Sequence, residues 1–126
     1  MARTAVCAQR GKTNHHAGLV AEAIVAREYA RRGMKIGQQR WRGSAGEIDL
    51  VARDGEAIVF IEVKKSRSFE RAAARVSQRQ ISRIYDTASE YLASEPRGMD
   101  TEARFDVALV NEAGEIEILE NALMMM

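Results

Sequence analysis

The chain has 126 residues, 46% hydrophobic and 29% charged, with a formal net charge of +1. That length fits one domain, which buries roughly two-thirds of its unfolded surface and needs no disulfide or structural metal to stay folded. The composition excludes wholesale disorder, no apolar run reaches the roughly 18 residues of a membrane span, and Met1 to His16 lack the apolar core of a secretory signal.

The single cysteine, Cys7, can form neither an internal disulfide nor a paired-cysteine zinc site, so a reducing cytoplasm is the expected compartment. The charge is uneven beneath its near-neutral total. Residues 1–45 carry nine Lys/Arg against Glu22 and Glu28, a block of +7. Residues 64–83 carry a block of +6, and residues 84–126 a block of −8. A chain divided this way can present a basic face to a polyanion, although a solvated surface that averages out on folding fits the blocks equally.

Residues 1–13 have no apolar periodicity and read as an N-terminal arm. Asn14 is placed to cap a helix running to Arg32, with Gly33 just beyond its end. Leu19, Ala23, Ala26 and Ala30 fall on one stripe of that helix, and Glu22 borders it, about 80° from its centre. Residues 34–42 suggest a strand, and 43–46 a glycine-bounded loop. A strand begins at Glu47, and Asp54-Gly55 signals a hairpin turn. The second arm, 57–64, is apolar on both faces, as a central buried strand requires.

Phe69 to about Ser94 reads as one helix that stops before Pro96, with Val76, Ile81, Ile84, Ala88, Tyr91 and Leu92 on its buried side. Two further strands, 104–110 and 115–119, are joined through Asn111 to Gly114. The order is α-β-β-β-α-β-β, a mixed sheet flanked by helices in a single domain spanning 14–120, with 121–126 as a tail. The terminal Met124, Met125 and Met126 fit a frayed end.

With Asp54-Gly55 as the two-residue loop, Glu47 faces Glu62 and Asp49 faces Phe60. Side chains alternate faces with period two, so Glu47, Asp49, Glu62 and Lys64 project from one face at one end of the hairpin. Asp49 and Glu62 are then diagonal neighbours. Crowded carboxylates beside buried strands repel and lose hydration, so something must offset them. Lys64 does so in part. A hard divalent cation such as Mg²⁺ does so more fully, and carboxylates around an open coordination position suit phosphoryl chemistry. The same residues also fit a solvated strand end with an ion pair worth about 0–1 kcal/mol, and the residues alone leave both readings open.

The strings Gly46-Glu47-Ile48-Asp49-Leu50-Val51-Ala52 and Val59-Phe60-Ile61-Glu62-Val63-Lys64 resemble the YraN-like family, small endonuclease-like proteins of the PD-(D/E)XK restriction-endonuclease-like superfamily. The chain is also similar to archaeal Holliday-junction resolvases. The resemblance extends over about residues 17–120 and includes Gly18, Glu22, Tyr29 to Gly33, Trp41-Arg42 and Arg104-Phe105-Asp106-Val107. It implies a restriction-endonuclease-like α/β fold. It implies Asp49 as principal metal ligand, Glu62 as second acidic ligand, Lys64 as the motif lysine, and Glu22 as a helix glutamate completing the site. It also implies the Val63 carbonyl as a further ligand to Mg²⁺ or Mn²⁺, and leaves Glu47 without a defined role. Departures are Ile48 where the superfamily places proline, Ser66 in place of arginine, and Arg40 where asparagine usually precedes the tryptophan.

Arg67, Arg71, Arg75, Arg79 and Arg83 recur every four residues, a spacing that makes a slowly rotating stripe on a helix. With Lys65 and Arg42 they are the expected contacts to a nucleic-acid backbone, with a solvated helix face as the plainer alternative. Gln78 and Gln80 lie on the same helix, and the resemblance implies that one of the two reaches the site. His15 and His16 are adjacent, so on a helix their rings diverge and ligation is disfavoured. Trp41 suits packing better than base stacking, and no phosphate-binding GxxxxGK[ST] string exists. The expectation is a Mg²⁺- or Mn²⁺-dependent nuclease acting on DNA, including branched or structured DNA, without membrane association and with a homodimer as one arrangement. The alternative is a non-catalytic nucleic-acid-binding or adaptor protein keeping the fold, with a partner-binding scaffold as a third reading.

Overall fold

A strand that is apolar on both faces must be covered on both faces, and the segment Ala57–Lys65 is covered in this way. The structure is a computed structural model that describes residues 18–73 and 76–122. Within these residues helix α1 covers 18–31. The strands are β1 (Lys35–Arg42), β2 (Glu47–Asp54), β3 (Ala57–Lys65), β4 (Ala103–Val110) and β5 (Ile116–Leu119). Helices α2 (Phe69–Ala73) and α3 (Gln78–Leu92) lie between β3 and β4, with a short 3₁₀ turn at Gly98–Asp100.

The five strands form one sheet in the order β1-β2-β3-β4-β5, with β3 at its centre. β3 and β4 run parallel and the other neighbours antiparallel. Parallel neighbours need a crossover connection, which α2 and α3 supply. The mixed α/β architecture and its element order are those expected, consistent with a restriction-endonuclease-like fold.

One face of the sheet packs Leu50, Ala52, Val59, Ile61, Ala108 and Val110 against Ala21, Val25 and Tyr29 of α1. The opposite face packs Val51, Ile58, Phe60, Phe105 and Val107 against Ile84, Ala88, Tyr91 and Leu92 of α3. Phe60 stacks on Phe105 with ring centroids 5.2 Å apart, and Phe105 stacks on Tyr85 at 4.2 Å. Trp41 meets Tyr91 edge-on at 5.1 Å, which gives it the packing role. Such aromatic geometry adds about 0.5–1.5 kcal/mol per pair beyond simple burial.

Three expectations are corrected. The buried stripe of α1 is Ala21, Val25 and Tyr29, whereas Leu19, Ala23 and Ala30 are exposed. Tyr29 decides the rotation, because its hydroxyl donates to the buried Asp106 carboxylate at 2.7 Å. Second, 69–94 is not one helix. Ser77 has extended backbone (φ −97°, ψ 161°), and its Oγ accepts from the Gln80 N–H at 3.2 Å, starting α3 afresh. A serine cap interrupts a helix although the apolar spacing on either side continues.

Third, the hairpin register differs by two residues. Asp54 pairs with Ala57 and Leu50 with Ile61, so the loop is Gly55-Glu56. Gly55 has φ 64° at the first loop position, the place where a type II′ turn takes glycine. Glu47 therefore does not face Glu62, nor Asp49 Phe60. A two-residue shift preserves which face each side chain occupies.

Asp106 is fully buried in β4 and fully paired. Besides Tyr29, Arg104 donates from Nε at 3.1 Å, and the Asn121 N–H donates at 2.9 Å. This carboxylate ties α1 and the end of the described chain to the sheet. Burial and the adjacent Asp106 raise the Tyr29 hydroxyl pKa, so Tyr29 remains a donor. Residues 1–13, and with them Cys7, lie outside the described residues, as do Asn14, His15, His16 and the terminal methionines.

Candidate functional site

The pairing of β2 with β3 runs from the turn to Leu50↔Ile61 and ends there. Beyond that point a side chain takes over from backbone. The Val63 N–H donates to Asp49 Oδ2 at 2.8 Å. The strands part at Asp49, and its carboxylate satisfies a donor that a continued ladder would have satisfied. Extending the observed register places Asp49 across from Glu62.

Glu62 is buried, with 7% relative exposure, in the middle of this opening. Burial, the repulsion of Asp49 and a hydrogen bond with the Asp49 carboxylate push its pKa up to about 8. Lys64 opposes the shift, with Nζ 3.4 Å from Glu62 Oε1. Burial and the Asp49 charge thus favour the protonated form of Glu62 near neutral pH, hydrogen-bonded to the Asp49 carboxylate. Gln80 Nε2 approaches Glu62 Oε1 at 3.5 Å, which decides between the two candidate glutamines in favour of Gln80.

An open cleft of about 210 Å³ lies over Glu62, lined by Gly46, Glu47, Gln80, Arg83 and Ile84. One wall is the loop between β1 and β2. Its Ser44 N–H and Oγ both donate to Glu90 of α3, at 2.8 and 3.1 Å. The Gly43 N–H closes the loop on the Gly46 carbonyl at 2.8 Å. A side chain at Gly43 would run into the Glu90 carboxylate and crowd the Trp41 ring, so that Glu90 would have to move from its place against Ser44.

The other expected residues lie nearby with partners of their own. Glu22 on α1 accepts from Arg40 Nε at 3.0 Å. Glu47 is exposed and 3.5 Å from Arg42 Nη2. Among the described residues no three His, Cys, Asp or Glu side chains converge as a ready-made metal cage. The expected cluster of Glu47, Asp49 and Glu62 is therefore reduced to the close pair Asp49 and Glu62. This pair offers hard oxygen donors, and Glu62 a carboxyl proton that a cation can displace, which fits Mg²⁺ or Mn²⁺.

The basic stripe does not lie along one helix. Arg67 precedes α2, Arg71 lies in α2, and Arg79 and Arg83 lie in the first turns of α3, all four exposed. The Arg75 position falls outside the described residues. Lys65 ends β3 half-buried, and Arg42 is exposed at the end of β1. Arg83 borders the cleft itself, and Gln80 stands beside it. Sequence reasoning missed the placement of Arg40, because the β1 register depends on an irregularity between Ile36 and Gln38.

A family model described as "Uncharacterised protein family UPF0102" matches residues 21–110. The chain belongs to the UPF0102 family. A UPF0102 protein of Cereibacter sphaeroides (strain ATCC 17025 / ATH 2.4.3) is 60% identical over 112 residues, covering 89% of this chain and 96% of that protein. One from Roseobacter denitrificans is 54% identical over 123 residues, covering 98% and 95%. Another, from Ruegeria pomeroyi, is 54% identical over 115 residues, covering 91% and 94%. The UPF0102 match spans α1 through β4, and therefore every element that positions Asp49, Glu62 and Lys64. Among the described residues of this UPF0102 protein, no helix is long and apolar enough to cross a membrane.

Proposed function

We propose that this UPF0102 protein is a metal-dependent nuclease that hydrolyses phosphodiester bonds in DNA, with branched or structured DNA among the substrates to test. The observation that carries the reading is the pairing of the buried Glu62 with the half-buried Asp49 at the parting of β2 and β3, with Lys64 3.4 Å from Glu62. A structural ion pair does not need two carboxylates sharing a desolvated opening, since each charge there is costly. The resemblance to the PD-(D/E)XK superfamily supports the same reading.

Asp49 and Glu62 would hold Mg²⁺ or Mn²⁺, with the Val63 carbonyl between Glu62 and Lys64 as a further donor. Bound there, the metal would polarise the scissile phosphate and lower the pKa of the attacking water. Lys64 shares the face of Glu62, so its ammonium can contact the phosphate or orient that water. Gln80 steadies Glu62 from α3. Arg83 at the cleft, with Arg79, Arg71, Arg67, Lys65 and Arg42 around it, would contact backbone phosphates without reading sequence. A two-fold dimer would let one small domain act on two strands.

The test is Mg²⁺- and Mn²⁺-dependent cleavage of linear duplex, single strand, flap and four-way junction. Asp49→Ala and Glu62→Ala are expected to abolish cleavage while largely sparing DNA binding. Retained turnover in either variant overturns the site. One observation favours a second reading, a non-catalytic nucleic-acid-binding protein of the same fold: Glu22 is engaged by Arg40. Salt-sensitive DNA binding without cleavage of any substrate would select it.

A further inference from the structure

Arg40 stands where three elements meet. It falls between the pairs Gln39↔Leu50 and Trp41↔Ile48, so the β1–β2 register sets it beside Asp49. Its φ of 53° is a left-handed conformation that an arginine in a strand rarely adopts. From there its Nε reaches Glu22 Oε2 at 3.0 Å, across to α1. The Glu22 side chain is 12% exposed, whereas that of Arg40 is 38% exposed. The bond to Glu22 raises the guanidinium pKa, with smaller contributions from Glu47 and Asp49. One fixed positive charge thus sits within electrostatic reach of the carboxylates of Glu22, Glu47 and Asp49.

A fixed cation and a divalent ion compete for the same anionic field. We infer that Arg40 is a resident counter-ion that withholds Glu22 from the metal, so that in this chain the divalent ion is held by Asp49 and Glu62 without Glu22. The inference rests on the metal-site reading above and concerns how that site is regulated. It accounts for the absence of a three-carboxylate cage among the described residues. Removing the guanidinium should both strengthen metal binding and bring Glu22 into it.

The experiment measures Mn²⁺ binding by electron paramagnetic resonance and titration calorimetry, with no nucleic acid present. The proteins are the wild type, Arg40→Asn, Glu22→Gln, the double variant, and Asp49→Asn in the wild-type background. Asparagine tolerates the left-handed backbone and carries no charge. Arg40→Asn is expected to bind Mn²⁺ about tenfold more tightly, the order expected for one nearby charge at an effective dielectric between those of water and a protein surface.

Glu22→Gln should change the wild-type affinity less than about twofold but weaken the Arg40→Asn protein by about tenfold. If Asp49→Asn loses tight binding while Glu22→Gln weakens both backgrounds equally, the counter-ion inference falls and the metal site stands. The inference falls in the same way if Arg40→Asn binds no more tightly than the wild type. Wild-type affinity in Asp49→Asn, or no binding by any protein, overturns the metal site and the inference together.

Discussion

Replacing Glu62 with glutamine should stabilise the metal-free protein, and by an amount that grows with pH. Glu62 is buried, beside Asp49, with its pKa pushed up to about 8 from an ordinary value of 4.5. Below about pH 4.5 the carboxyl is protonated in both folded and unfolded chains, and burial costs little. Between that pH and about 8 the unfolded chain releases the proton while the folded chain keeps it, so stability falls as pH rises. A shift from 4.5 to about 8 sets an upper limit near 5 kcal/mol for the loss. Relaxation and water entry around the parted strands reduce it, and roughly 2–3 kcal/mol is expected. Glutamine is neutral throughout, fills nearly the same volume and can still donate to Asp49. Urea denaturation in a chelator at pH 5, 7 and 9 measures the difference between the two proteins, which cancels titrations common to both. The advantage of Glu62→Gln should be under about 1 kcal/mol at pH 5 and about 2 kcal/mol or more at pH 9. An advantage that is constant across this range, or absent at pH 9, would refute the buried, repelled carboxylate. Millimolar Mg²⁺ should narrow the gap at pH 9 by stabilising only the wild type.

The Asp106 network gives a larger and purely structural effect. Asp106→Ala should cost about 3–5 kcal/mol by chemical denaturation, since it leaves the buried Tyr29 hydroxyl and part-buried Arg104 without their partner. Tyr29→Phe should cost less, about 1–2 kcal/mol, because only one bond is lost. Ser77→Ala removes the cap of α3 and should cost about 1 kcal/mol by the same measurement. Gly43→Ala and Glu90→Ala should each loosen the loop that walls the cleft, and their combination should cost no more than the larger single effect. For DNA binding, neutralising Arg79 and Arg83 together should lower the slope of log affinity against log salt by about 2, measured by fluorescence anisotropy.

The elements legible in the sequence are those whose pattern is local. β3 reads as central because its apolar run leaves no polar face until Glu62, and the sheet places it third of five. The placement of Asp49, Glu62 and Lys64 on one face follows from the two-residue alternation and survives the register difference, because a shift of two keeps parity. What the sequence does not carry depends on contacts distant along the chain. Nothing near α1 signals that Tyr29 bonds an aspartate 77 residues away, and that bond sets which stripe is buried. Nothing near residue 77 marks an interruption when apolar spacing continues from Val76 to Ile81. The position of Arg40 depends on an irregular step in β1, which a weak strand pattern does not encode.

The parting of β2 and β3 joins these observations into one physical cause. A carboxylate in a strand next to a central buried strand is ordinarily excluded, since it has neither water nor a partner. Asp49 is accommodated because it accepts the Val63 N–H that the ladder no longer uses. That same bond ends the ladder and leaves Glu62 facing an opening in place of a paired strand. The opening then has to be bounded, and Glu90 does this from α3 by holding the loop at Ser44. The residues between Gly46 and Lys64 thus act as a unit. Asp49→Asn should therefore do more than remove a charge: its amide nitrogen cannot accept the Val63 N–H, and its oxygen can do so only in one of two orientations. Exchange of the Val63 amide hydrogen, measured by nuclear magnetic resonance in chelator, should accelerate in Asp49→Ala and less so in Asp49→Asn. Equal protection in wild type and Asp49→Ala would mean that the strands part for another reason, and that the carboxylate fills the opening without making it.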